Sequence, residues 1–192
     1  MILVAILKGI AIALAVAAAF AFVAGLIFVG VTMIAMADYF IGIDTGVRTG
    51  LALWDANDGR LVQLKTEGIV RAMGSVSAWL DEAKEQGRDC VLVMEDARLR
   101  KWIPRERNLS EFKGRLMGAG SVKRDASIWE EFAEVVGAPI VKVQPREGMT
   151  KWNAQYFAFV TGYKGRCSNH ARDAALLVWG KTPMRAEKTA RK

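Results

Sequence analysis

Four side chains spread along this chain have the types and placement to do chemistry together: Asp44, Glu95, His170 and Asp173. Asp44 ends the apolar run Tyr39-Phe-Ile-Gly-Ile-Asp44, and glycines follow at positions 46 and 50. Glu95 ends a second run, Cys90-Val-Leu-Val-Met-Glu95. His170 and Asp173 lie three apart in a segment of helical periodicity, so they share one helix face. Carboxylates at the ends of buried strands, facing a helix with two more donors, make an oxygen-rich pocket suited to Mg²⁺ or Mn²⁺. On a basic chain, that pocket points to metal-assisted hydrolysis of a polyanion, a nuclease first. Each residue alone also has a plainer reading, as a turn former, a solvated rim carboxylate or a polar cap. The argument rests on their combination.

The elements that must position these residues are legible in the pattern. Residues 39–44, 50–55 and 61–69 read as strands, and Asn57-Asp58-Gly59 supplies turn chemistry for a hairpin between the last two. Residues 75–86 read as a helix with Val76, Trp79, Leu80 and Ala83 on one face. Residues 90–95 form a near-continuous apolar run, as expected of a central strand buried on both faces. Residues 127–136 read as a helix with Ile128, Phe132, Val135 and Val136 as its apolar stripe, followed by a strand at 140–143. Helices over 149–161 and 169–181 complete the order, and 184–192 is a basic tail. Hairpin strands followed by crossover helices imply an α/β fold with a mixed sheet flanked by helices. In such sheets sites form beyond the carboxyl ends of strands, where Asp44 and Glu95 stand.

The 192 residues carry a formal net charge of +7, and residues 1–35 contribute only Lys8 to it. A basic balance favours nucleic acid first and an anionic membrane surface second. The two cysteines, Cys90 and Cys167, form neither a disulfide framework nor zinc spacing, which fits a reducing, cytoplasmic compartment. From Gly9 to Ala37 no residue is charged. That exceeds the roughly 18–20 apolar residues needed to cross a bilayer. Three readings of residues 1–37 stand side by side: a membrane anchor through residues 9–35, a signal peptide ending at Ala35-Met36-Ala37, or an upstream extension of a domain that starts at Met33 or Met36. The domain itself spans 38–183.

Residues 98–124 hold nine cations (Arg98, Arg100, Lys101, Arg105, Arg107, Lys113, Arg115, Lys123 and Arg124) against the two acids Glu106 and Glu111. Such a run reads as a phosphate-contacting surface beside the cleft, the alternative being a solvated loop and helix face. Trp102-Ile103 inside it either packs the loop or wedges against unstacked bases. Lys142, Arg146 and Lys151 would line the other rim.

Gly42-Ile-Asp44-x-Gly46-x-x-x-Gly50-Leu-Ala-Leu, Val93-Met-Glu95 and His170-Ala-Arg-Asp173-Ala-Ala, in this order, resemble the RuvC family of Holliday-junction resolvases, within the RNase H-like superfamily. The likeness is greatest to the divergent RuvC-like nucleases of phages. It covers about residues 38–181. The resemblance implies an RNase H-like five-stranded sheet and a crossover junction endodeoxyribonuclease acting in DNA recombination and repair. Two Mg²⁺ ions per site would be held by Asp44, Glu95, His170 and Asp173, with Mn²⁺ able to substitute. Asp44 would bridge the ions, and Lys151 would contact DNA. Many members carry a further carboxylate where this chain has His170. Symmetric cutting of a four-way junction further implies a homodimer, with Trp129 a candidate for its interface.

Other classes remain open from sequence. Asp-x-Gly-x-x-x-Gly after a strand also resembles the phosphate loop of actin-like ATPases and sugar kinases, which need two lobes where this chain has room for one. A non-catalytic, membrane-anchored DNA-binding module and an RNase H-like nuclease on flaps or hybrids complete the set.

Overall fold

In the computed structural model the described residues are 37–99, 109–145 and 152–183, and for 109–119 only the backbone is described. The strands are β1 (Tyr39–Asp44), β2 (Thr49–Asp55), β3 (Arg60–Glu67), β4 (Cys90–Glu95) and β5 (Ile140–Val143). The helices are α1 (Ile69–Glu85), α2 (Leu109–Val136), α3 (Ala154–Thr161) and α4 (Asn169–Val178), with a 3-10 turn at Ala97–Leu99. The sheet order is β3-β2-β1-β4-β5. β1 runs antiparallel to β2 and β2 to β3, whereas β4 is parallel to both β1 and β5. This mixed five-stranded sheet between helices is the RNase H-like arrangement expected from the motifs.

Alternation along the strands divides the core into two layers. Phe40, Ala52, Trp54, Val91 and Val93 point to one face, where they meet Phe157 of α3 and Ala171, Ala174, Ala175 and Val178 of α4. Ile41, Ile43, Leu51, Leu53, Leu92 and Met94 point to the other, under Ala72, Val76 and Trp79 of α1 and Ala126, Trp129 and Ala133 of α2. β1 and β4 lie between the layers, which is why their sequences are apolar at nearly every position. The hairpin turn forms as expected: the Asp55 carboxylate accepts from the backbone N–H of Asn57 and Asp58, and Gly59 takes φ 62°.

Several boundaries differ from the sequence reading. The segment 61–69 is not all strand, because α1 starts at Ile69 with Gly68 as its N-cap. Ile69, Ala72, Met73 and Val76 carry the helical spacing six residues further back than Ser75, and Gly74 packs against nothing that would break it. α2 begins at Leu109 rather than 127, so much of the basic stretch is helical backbone. Its core face is Ala126, Trp129 and Ala133, and Val135 is 80% exposed instead of belonging to the stripe. Trp129 is fully buried in the intramolecular core, so it is not an interface residue on the surface of this chain. α3 starts at Ala154, where the Asn153 side chain accepts from the Tyr156 N–H, and α4 ends at Val178 with Gly180 at φ 77°. Among the described residues no helix is long and apolar enough to cross a membrane. Residues 1–36, Trp102-Ile103 and the tail 184–192 lie outside the described residues.

Candidate active site

The register of the parallel pair β1–β4 sets Asp44 directly beside Glu95. Both residues continue the alternation of Phe40-Gly42 and Val91-Val93, so both side chains project to the face covered by α4. The strand ends are tied together locally, the Thr45 hydroxyl donating to the Glu95 carbonyl at 3.2 Å. The row continues across the sheet: Asp44 pairs with Gly50, and Gly50 pairs with Thr66 of β3.

Two glycines bring α4 down onto this row. A Cβ on Gly42 would overlap the backbone carbonyl of Ala174, and one on Gly50 would overlap the carbonyl of His170. Only hydrogen at these positions lets the helix backbone rest on the strands. Ser168 caps the helix, accepting from the Ala171 N–H at 3.2 Å, and its hydroxyl also lies against that of Thr66. The consequence is a contact of 3.0 Å between His170 Nδ1 and Asp44 Oδ2, across 126 residues of sequence. Asp173 follows one turn along the same helix and is half-buried. Asp44, Glu95 and Asp173 are all engaged by other groups.

The donor set suits a hard divalent cation in its chemistry: carboxylates from two adjacent strands on one face, with an imidazole and a third carboxylate on the helix above them. As the side chains stand, no three His, Cys, Asp or Glu groups among the described residues are gathered closely enough to hold a metal ion. The fit is therefore one of residue type and placement.

Beside the row lies a charged clamp that sequence reasoning missed. Asp96, whose side chain is 2% exposed, accepts from Arg98 Nε and Nη2 at 2.9 and 2.8 Å, and Arg98 also reaches Glu130 at 2.7 Å. Lys142 completes it with a 2.6 Å contact to Glu130. Arg98 and Lys142, both expected at a DNA-facing rim, are thus held by acids of the protein itself. The Arg98 guanidinium holds the Asp96 carboxyl below the usual carboxylate range, against the upward push of burial. Lys142, then Arg98, does the same for Glu130. Because the folded value for Asp96 is depressed, its stabilising contribution is full above the unfolded value of about 3.9 and is lost as pH falls through the folded one. Asp96→Asn is expected to lower stability by about 1–2 kcal/mol at neutral pH, discounted because Arg98 is partly solvated. Urea titrations should show the gap between wild type and variant narrowing as pH falls below the ordinary carboxylate range.

Arg172 is the second missed residue. It is 8% exposed, and donates through Nε to the Trp152 carbonyl at 3.1 Å, through Nη1 to the Cys167 carbonyl at 3.0 Å, and through Nη2 to the Asn169 side chain. It joins the start of α3 to the start of α4. An arginine at a helical position reads from sequence as a surface residue, so no pattern disclosed it.

Of the expected DNA contacts, Lys123 and Arg124 are exposed on α2. Arg115 lies in α2 with its side chain outside the described residues, as are Arg100, Lys101, Arg105, Arg107 and Lys151 altogether.

No protein-family model matches this chain, and no curated protein does. Solved structures similar to it include T. thermophilus RuvC in complex with a Holliday junction substrate, at 17% identity and a TM-score of 0.42, over 72% of this chain and 89% of that one.

Proposed function

We propose that this protein is a divalent-metal-dependent endodeoxyribonuclease of the Holliday-junction resolvase type, cutting phosphodiester bonds in branched DNA. The observation that supports this reading best is the side-by-side placement of Asp44 and Glu95 at the carboxyl ends of parallel strands, with His170 in contact with Asp44. Asp44, Glu95 and Asp173, with His170, would hold Mg²⁺. When bound, the metal supplies an activated water and stabilises the leaving 3′ oxygen. The chain's own contribution is positional. Gly42 and Gly50 set the height of α4, and Ser168 and Arg172 fix its start. His170, exposed at the mouth and hydrogen-bonded to Asp44, is placed to orient a water or take its proton. Lys123 and Arg124, exposed on α2, together with the basic stretch, would hold phosphates.

The test is cleavage of four-way junction, flap, RNA–DNA hybrid and linear duplex by the full chain, with Mg²⁺ and with chelator. Preferred nicking of the junction, abolished by chelator, is the expected result. Cutting only hybrids would move the activity to the RNase H class, and salt-sensitive binding without any nicking would leave a binding module. Sedimentation of the free and junction-bound protein tests the homodimer.

A further inference from the structure

The cations expected from sequence at the DNA all come after β4 in the chain, and of the described ones Lys123 and Arg124 are exposed on α2. A second set stands at the end of the sheet that carries the carboxylate row, toward β2 and β3. Arg48 is exposed in the turn that joins β1 to β2, four residues after Asp44. Lys164 and Arg166 are exposed on the connection between α3 and α4. That connection is held firmly. Gly162 caps α3 at φ 71°, Tyr163 packs on Phe157, Arg172 binds the Cys167 carbonyl, and Ser168 rests on Thr66, which lies in the same row as Gly50 and Asp44.

Charge on this connection is one-sided, since residues 162–168 and the turn 45–50 contain no acid. Among the described residues none of the three cations forms an ion pair, unlike Arg88, Arg98 and Lys142, which all do. Exposed, unpaired cations on an anchored loop suit a polyanion: their charge is not already neutralised by the protein, and the loop need not be ordered on binding.

We propose that Arg48, Lys164 and Arg166 form a second phosphate-contacting edge, on the β2–β3 side of the carboxylate row. This rests on the phosphodiester reading above and adds to it a backbone-holding edge formed by residues outside the basic run 98–124.

The test measures binding of labelled four-way junction and linear duplex to the full chain by fluorescence anisotropy across a salt series, in chelator so that no cleavage intervenes. Lys164→Gln with Arg166→Gln should weaken junction binding about tenfold or more near 0.1 M salt and lower the slope of log K against log salt by about 2. Arg48→Gln should remove about 1 further. Linear duplex should weaken as well, and the exchange Lys164→Arg with Arg166→Lys should restore binding. Lys84→Gln, on the last turn of α1 at the other end of the sheet, should change nothing. Unchanged affinity and slope in the double variant, or an equal loss with Lys84→Gln, overturns the edge. Wild-type protein that binds junctions but never nicks them overturns the nuclease reading while leaving the edge intact; wild-type protein that binds no DNA overturns both.

Discussion

Asp44→Asn should abolish Mg²⁺-dependent cleavage, lowering the single-turnover rate at least about 10³-fold, or roughly 4 kcal/mol of transition-state stabilisation. The substitution preserves shape, and its amide oxygen can still accept from His170, so the fold and the 3.0 Å contact have no reason to change. What disappears is the negative charge at the position shared by β1, its neighbour Glu95 on β4 and the helix above. Junction binding in chelator should hold steady or tighten, because one carboxylate no longer repels the phosphates. Glu95→Gln should act in the same direction. His170→Ala should cost less, about 10²-fold, if the imidazole only positions or deprotonates a water. Cleavage by Asp44→Asn at the wild-type rate would remove Asp44 from the chemistry and, with it, the assignment of the whole row.

The second large effect is structural and separates placement from chemistry. Gly50→Ala and Gly42→Ala each insert a methyl where the backbone carbonyls of His170 and Ala174 already lie. Backbone cannot rotate aside as a long side chain can, so α4 must lift from the sheet. A loss of about 3 kcal/mol or more is expected for each in urea denaturation. Cleavage should fall with it even where the variant remains folded, since His170 and Asp173 rise with the helix. Gly74→Ala is the matched control: a Cβ there meets nothing within 4 Å, and the position is mid-helix. It should be neutral or stabilise by about 0.5–1 kcal/mol. Gly42→Ala and Gly50→Ala as stable as wild type would mean that α4 is not pressed onto the strands as described.

Local pattern was enough for much of this. The apolar runs at 39–44 and 90–95 announced two buried strands with carboxylates at their ends, because a central strand must be apolar on both faces. The Asn57-Asp58-Gly59 turn, the four candidate site residues and the helical spacing of 170–178 were equally plain, since each depends on neighbours a few residues away. The start of α1 is not legible in the sequence, because Ile69 and Val70 suit strand and helix alike, and only packing on β2 and β3 decides between them. The face of α2 is hidden for a related reason: several apolar positions compete, and the sheet selects Trp129 over Val135.

Tertiary structure alone decided the rest. Which oxygen His170 meets, how low α4 sits, and which cations are already held by acids all depend on atoms brought together from distant segments. Arg98 and Lys164 both read as free cations in the sequence, yet one is clamped between Asp96 and Glu130 while the other is exposed. Sequence by itself determined the residue types and the strand ends that bear them, because hydrophobic burial and turn chemistry act locally. The fold determined their partners, because charge pairing and close backbone approach are set by distance in space, which spacing along the chain does not encode.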